Sequence, residues 1–278
     1  MSAELLQLYP ATGQACPLEG AYLGHLPAAG GPYFYANFIT SLDGRIALTA
    51  PHRTTHQVPP AIANPRDWRL YQELGAQADL LLTSGRYFRQ FALGEAQDTL
   101  PVGAEPAFAD LHAWRRHQGL PAQPDIAVFS ASLELPDSAL RFYLERGRRL
   151  HLFTGEDAPT ERIARLRSLG VAVHFAGPGH MAEGRPVAEA LQRLGYRRVY
   201  VIAGPFVLYT LVRAGVLDRL YLTLAHRLLA GEEFDTFCYG PELHPPPALA
   251  LRSLLFDPQA PESAGQLLAA YDLEYPSA

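Results

Sequence analysis

Three places in the sequence combine residue types that could do chemistry. The first is Asp43, which follows the strand-like run Tyr33–Ser41 and precedes Gly44. A carboxylate at the end of an apolar strand needs a partner or a purpose. It can donate a proton, it can hold a ligand amine, or it can bond its own backbone in the β-turn that Asp-Gly favours. The second place is Ala203-Gly204-Pro205, set between the β-branched run Val199–Ile202 and the helical pattern Phe206–Ala214. Small residues let a ligand approach the backbone, and Pro205 suits the first turn of a helix. A strand that runs through glycine into a helix N-terminus offers free N–H groups and a positive dipole end, an anion site suited to phosphate. A plain tight turn would use the same residues. The third place is Ser84-Gly85, at the end of the buried strand Asp79–Thr83, a second small-residue strand end of the kind where ligands collect in open α/β sheets.

Other chemistries find no support. His52 and His56 have an i, i+4 spacing, but Pro51, Pro59 and Pro60 oppose a helix there and no Cys or Glu completes a ligand set, so no metal is expected. His180 and His226 read as loop or capping residues. The chain has no G-x-S-x-G, no G-x-x-x-x-G-K-[ST] and no G-x-G-x-x-G, which sets aside that hydrolase design, the P-loop and the Rossmann dinucleotide fingerprint.

These strand ends need a sheet to hold them, and the chain is long enough to build one. Its 278 residues are 48% hydrophobic and 18% charged, a composition that buries a substantial core. With a net charge of −5 and only 23 dispersed Lys and Arg, neither nucleic acid nor an anionic membrane is the expected partner. Cys16 and Cys238 offer no disulfide framework, which fits a reducing cytoplasm. The N-terminus lacks a signal-peptide pattern, and no apolar run is long enough to span a membrane.

Taken in order, residues 1–32 carry four prolines and the pair Gly30-Gly31 and read as an arm packed on the domain with little regular structure of its own. The domain proper is expected over 33–278. Strands are expected at 33–41, continuing through 45–48 after the Leu42-Asp43-Gly44 turn, and at 79–83, 126–130, 150–154, 171–175, 199–202 and 217–225. Helices are expected from Asn64, where Asn64 caps, Pro65 takes the first turn and Asp67 complements the dipole. Further helices are expected at 107–118, 140–147, 160–169, 186–194 and 206–214, with loops at 50–60 and 91–105. Strands alternating with helices predict a mostly parallel sheet, and the runs 249–256 and 266–275, with no helix between them, predict a closing antiparallel hairpin.

The order of motifs adds a resemblance. N-F-I-T-S-L-D-G-R-I-A (37–47), A-D-L-L-L-T-S-G (78–85), V-I-A-G-P-F-V-L (201–208), A-G-V-L-D-R-L-Y-L (214–222) and L-L-A-G (228–231) resemble the pyrimidine reductase domain of riboflavin biosynthesis. That domain is the C-terminal half of the bifunctional deaminase-reductases. The similarity covers nearly the whole chain from about Tyr33, and 8–23 resembles the arm of stand-alone members. The resemblance implies an α/β, dihydrofolate reductase-like fold: a central, mostly parallel mixed sheet flanked by helices, with antiparallel C-terminal strands. It implies an NADPH-dependent reductase, with NADH not excluded, that converts the ribosyl group of a phosphoribosylamino-pyrimidine or a related heterocycle to a ribityl chain. A homodimer joined through the sheet is implied as well. The apolar late strands (Leu217, Leu220, Leu222, Leu224, Leu251, Leu254, Leu255) fit that, since an exposed edge needs cover.

By the same resemblance, Ala203, Gly204, Pro205, Phe206 and Val207 would hold the cofactor diphosphate. Thr83, Ser84 and Gly85 would lie near its ribose and nicotinamide, and Ser130 and Thr154 near its adenosine end. Asn37, Ser41 and Asp43 would face substrate, with Asp43 the catalytic candidate. The sequence departs from the family pattern at four places. Ile202 stands where a glutamate is usual, Asn37 for a lysine, Tyr87 for a threonine and Ala131 for an arginine. A catalytically degenerate nucleotide-binding or scaffold protein with the same fold is therefore the alternative, and in that case Tyr87, Phe88 and Phe91 would fill the cleft.

Overall fold

The computed structural model describes residues 4–27, 30–49, 56–96, 101–202 and 204–276. Its strands are β1 (Glu4–Tyr9), β2 (Gln14–Pro17), β3 (Tyr33–Ser41), β4 (Ala47–Thr49), β5 (His56–Gln57), β6 (Leu80–Ser84), β7 (Asp125–Phe129), β8 (Leu150–Thr154), β9 (Ala172–Phe175), β10 (Arg198–Val201), β11 (Leu217–Ala225), β12 (Phe234–Asp235), β13 (Ala248–Asp257) and β14 (Gln266–Glu274). Its helices are α1 (Pro65–Gln77), α2 (Gly85–Ala92), α3 (Ala109–His117), α4 (Asp137–Leu144), α5 (Thr160–Ser168), α6 (Gly184–Arg193) and α7 (Pro205–Arg213).

Eleven strands form one sheet in the order β2-β1-β13-β14-β11-β3-β10-β6-β7-β8-β9. From β11 to β9 every neighbouring pair is parallel, and β14, β13, β1 and β2 continue it antiparallel. This is the expected mixed sheet with its antiparallel C-terminal hairpin. Alternation along the strands gives two cores. Tyr35, Leu81, Ile126 and Tyr200 face α1, α4 and α5, while Phe34, Ala36, Leu82 and Val201 face α6 and α7. The strand runs 33–41, 80–84 and 198–201 are neighbours because the chain winds outward from β3 through β6 to β9 and then returns β10 between β3 and β6. That reversal of winding direction opens a crevice at the carboxyl ends of the strands.

Four local expectations are corrected. The N-terminal arm is not irregular: β1 pairs with β13 and β2 with β1, and Leu5 of β1 is completely buried in the core. The prolines that argued against regular structure fall where they cost no ladder bond, Pro10 just after β1 and Pro17 as the last residue of β2. The edge of β13 is thus covered by the chain's own arm. The run 45–48 does not extend β3. It becomes β4 of a separate small sheet, β12-β4-β5. A helix, α2, occupies the start of the segment expected as a loop from Phe91. Finally, α4 begins at Asp137, ahead of the expected 140. His52 and most of the loop expected at 50–60 lie outside the described residues, as does Ala203. Among the described residues no helix is long and apolar enough to cross a membrane.

Candidate functional site

Register locates the site. Ala36, Val201, Leu82, Ala127 and His151 stand in one row across β3, β10, β6, β7 and β8. One residue further on, β10 has ended, with α7 beginning at Pro205, and β6 ends two residues further, running directly into α2. Gly204 is the N-cap of α7 and Ser84 the N-cap of α2, and neither supplies a side-chain cap. In the first turn of α7, Pro205 has no N–H and the Val207 N–H donates to the Gly204 carbonyl at 3.1 Å, so the Phe206 N–H there and the first-turn N–H groups of α2 are left for a ligand or water, with both positive dipole ends at the carboxyl ends of the strands. Between them lies a pocket of about 340 Å³ lined by Ser84, Gly85, Arg86, Arg89, Phe129–Ser132 and Gly204–Val207.

The two glycines at these helix starts have different surroundings. A Cβ on Gly85 would stand 3.0 Å from Ser130 Oγ and 3.3 Å from Arg89 Nη1, a tight fit that these side chains would have to ease by a few tenths of an ångström. A Cβ on Gly204 would meet nothing within 4 Å, because that residue borders open space.

Of the expected cofactor residues, Ser84, Gly85, Ser130, Gly204, Pro205, Phe206 and Val207 come together in this pocket. Thr83 is buried directly behind Ser84. Thr154 is completely buried, with its hydroxyl unpartnered, and is not in the lining. Arg86, Arg89 and Ser132 were missed. Their sequence signal was present: two arginines three apart, on the helix that follows a small-residue strand end. Tyr87, Phe88 and Phe91 do not fill the pocket. They turn to the other face of α2 and join Phe142 and Tyr143 of α4, with Tyr87 Oη 3.1 Å from Tyr143 Oη.

The substrate candidates lie further along β3, which runs about 16 Å beyond its last pairing with β10 and stays paired with β11 as far as Ser41 and Ala225. Asn37 faces the α1 side beside Ile202, and its Oδ1 is buried without a partner. Ile202 packs against the core on that face and brings no carboxylate. Asp43 is not part of the pocket lining. Its carboxylate accepts the Ser41 hydroxyl at 2.5 Å and the backbone N–H groups of Ala230 (2.8 Å) and Leu229 (3.2 Å), with Arg45 Nε at 3.6 Å. The Ser41 hydroxyl first, and then these amides, hold its pKa down to about 2. A carboxylate this acidic has no proton to give near neutral pH. Asp43 therefore stands as a fixed negative charge that also ties the β3 turn to the L-L-A-G segment, where Ala230 adopts a left-handed φ of 56°.

A different acid behaves in the opposite way. Asp67, in the first turn of α1, reaches β11 and accepts the Thr223 hydroxyl at 2.6 Å. Burial raises its pKa to about 6, against the lowering effect of that hydroxyl. Thr223 pairs with Ile39, which places Asp67 alongside the β3 extension between Asn37 and Ser41. The small β12-β4-β5 sheet connects the two regions. Asp235 of β12 meets Arg86 at 3.7 Å and His56 at 3.2 Å, while Arg45 sits 4.2 Å over the Phe234 ring. Among the described residues no group of three or more His, Cys, Asp or Glu could hold a metal ion.

Comparison with protein families decides the relationship. The RibD C-terminal domain family matches residues 32–255. This chain belongs to that family. Its fold is shared with a pyrimidine reductase-like protein from Corynebacterium diphtheriae, at TM-score 0.69 and 20% identity over 93% of this chain and 99% of that one. It is shared also with Acinetobacter baumannii RibD, at TM-score 0.59 and 15% identity over 88% of this chain and 58% of that one. The Saccharomyces cerevisiae riboflavin biosynthesis reductase Rib7 gives TM-score 0.56 and 13% identity over 92% and 97%. No curated protein matches the chain. Within this RibD C-terminal domain the winding reversal, the two facing helix N-termini and the long β3 extension lie at one end of the sheet.

Proposed function

We propose that this RibD C-terminal domain is an NAD(P)H-dependent reductase of riboflavin-pathway type. Its substrate would be the ribosyl group of a phosphoribosylamino-pyrimidine or a related heterocycle. The observation that carries the reading is the pocket between the N-termini of α7 and α2, which has arginines, serines and backbone N–H groups in its walls and no carboxylate in its lining. Such a pocket fits a dinucleotide's phosphates. Gly204–Val207 would take the diphosphate, Ser84 and Gly85 would border the ribose and nicotinamide, and Ser130 the adenosine side, with Ala203 the remaining candidate from the sequence. When bound, the cofactor supplies a hydride. The chain's own part is to orient substrate along β3 and to manage a proton. Asn37 Oδ1, buried and unpartnered, offers an acceptor to the heterocycle, and Ser41 and Asp43 form the far end of that track. Asp43 serves as a charge that can hold a substrate amine. Asp67 suits the proton-handling role better, since its carboxyl still titrates near pH 6.

A second reading rests on Ile202, whose apolar side chain leaves this row of the sheet without the family carboxylate: a protein that binds the nucleotide without turning over substrate. Titration with NADPH and NADH, followed by the loss of nicotinamide absorbance on adding a phosphoribosylamino-pyrimidine, separates the two. Binding with turnover supports the reductase and binding without turnover the second reading. Binding of neither nucleotide rejects both.

We further propose a homodimer formed through the face of the sheet. Leu6, Tyr9, Leu222, Leu224, Leu249 and Leu254 all lie on the side of β1, β13, β14 and β11 away from α1, and none is fully buried. A second copy of the same apolar face would cover them.

A further inference from the structure

The N-terminal arm does more than cover the edge of β13. After β2 the chain reaches α1, where the backbone of 20–24 is held by two side chains one helical turn apart. Glu73 accepts the Gly20 N–H at 2.6 Å and the Tyr22 N–H at 2.9 Å. Gln77 accepts the Gly24 N–H at 3.1 Å and donates to the Tyr22 carbonyl at 2.8 Å. Both side chains are completely buried. A carboxylate at that depth is costly unless it is paired, and Glu73 is paired with the two arm amides and with Arg69 Nε at 2.9 Å. The clamp fixes both backbone groups of Tyr22, the only fully buried residue of 20–24.

Tyr22 is delivered to the surroundings of Asp67. Its ring lies 4.8 Å from the Tyr221 ring, and Tyr221 pairs with Asn37 in the sheet. Two residues on, on the same face of β11, Thr223 donates to Asp67. The Tyr22 hydroxyl is buried without a partner, and Tyr221, Asp67 and Glu73 all lie close enough to oppose its ionisation. Asp67 is thus met by Thr223 from β11, by Tyr22 from the arm and by Tyr200 from β10, whose buried hydroxyl its charge also opposes. Arg66, its neighbour on α1, is taken by Asp257 at 2.6 Å. Burial and the one Thr223 hydroxyl set the charge state of Asp67. The residue is half-buried, so the water that reaches it depends on what stands beside it.

We propose that Tyr22 is a positioning residue: clamped by Glu73 and Gln77, its ring closes the arm side of the Asp67 site and keeps water from that carboxyl. This rests on the reductase reading, in which Asp67 handles the proton. Carboxyl NMR of isotope-labelled aspartate follows Asp67 without substrate in the wild type, Tyr22→Leu, Tyr22→Phe and Gln77→Ala, with Asp67→Asn to assign the signal. Tyr22→Leu opens space for water, so the titration should move down by at least about one pH unit, toward the ordinary carboxylate range. Gln77→Ala loosens the clamp and should move it the same way by less. Tyr22→Phe keeps the ring and loses only an unpartnered hydroxyl, so it should titrate with the wild type and melt no lower. On a verified pyrimidine substrate, the fall of kcat with rising pH should follow the Asp67 titration, leaving Tyr22→Leu about tenfold slower at pH 7 with NADPH affinity within about twofold. Lost packing alone would lower the melting temperature and leave the titration in place. An Asp67 titration unmoved in Tyr22→Leu, or moved in Tyr22→Phe, overturns the proposal. Should Tyr22→Leu fail to fold, an unmoved titration in Gln77→Ala overturns it equally. A wild type that turns over no pyrimidine, with the titrations as stated, removes the reductase reading and leaves the seal standing.

Discussion

Gly204→Val separates the pocket from the fold. The residue sits at φ −70° and ψ 179°, an ordinary extended conformation that valine adopts without strain. Its new Cβ would meet no atom within 4 Å, so the branch point itself fits in open space. As an N-cap, valine is poorer than glycine by up to about 1 kcal/mol, while replacing glycine lowers the entropy of the unfolded chain by a comparable amount. These effects offset each other, and in a chain of this size the melting temperature should move by no more than about 4 °C. The ligand meets the opposite situation. The added methyl groups occupy the space between the N-termini of α7 and α2. A diphosphate pushed off α7 loses about two charge-assisted hydrogen bonds at about 1.5–3 kcal/mol each. That is roughly 4 kcal/mol, or about three orders of magnitude in affinity. Calorimetric titration of NADPH into the wild type and the variant, beside their unliganded melting curves, gives both numbers. A variant that melts with the wild type and binds NADPH within a factor of about ten of it would refute the argument, because the diphosphate would then lie elsewhere.

Three further expectations follow from the acids and the sheet face. Asp43→Asn should lower kcat/KM on a verified pyrimidine substrate about ten- to hundredfold, as for one charged contact, with NADPH affinity unchanged. Full activity would reduce Asp43 to a turn residue. Because Asp43 titrates near pH 2 in the folded protein and near 4 when unfolded, its contribution to stability is present above pH 4 and fades as pH falls toward 2. The variant should lack that acid-side loss. Asp67 behaves with the reverse sign. Its folded pKa of about 6 exceeds the unfolded value, so its stabilisation is complete below pH 4 and lost as pH rises through 6, at a cost of about 3 kcal/mol. Urea melts should show Asp67→Asn gaining on the wild type between pH 4 and pH 7, and parallel curves would contradict the burial argument. Light scattering should give a dimer mass that becomes a monomer mass in Leu6→Lys with Leu254→Lys. A wild-type monomer mass at every concentration would dismiss the dimer.

The parts of this structure that sequence made legible are those whose signal is local. Val199–Ile202 and Leu80–Thr83 read as buried strands because they are short, continuous and apolar. The small residues at their ends marked where a sheet would leave room for a ligand, and both ends do line one pocket. What failed was context that sequence separation hides. The arm reads as irregular because its prolines are visible and its partner is not: β1 is a strand only because β13, more than two hundred residues later, offers an edge. The helix α2 was obscured by the glycine that begins it, although Tyr87, Phe88 and Phe91 already share a spacing that puts them on one helical face and Arg86 and Arg89 on another.

The two aspartates show the same limit in chemical form. Asp43 attracted notice because it follows a strand end, yet its environment is rich in donors, namely Ser41 and two amides from a loop far along the chain, and donors make a carboxylate more acidic. Asp67 looked like a routine helix-dipole residue. Its distinguishing feature is a single donor, Thr223, 156 residues away, in an otherwise desolvating setting, and that combination moves a carboxyl toward neutral pH. Residue type and flanking pattern identified which side chains stand at the strand ends. Which of them can exchange a proton depends on how many donors the fold brings to each, and that count is set by pairings between segments distant in sequence.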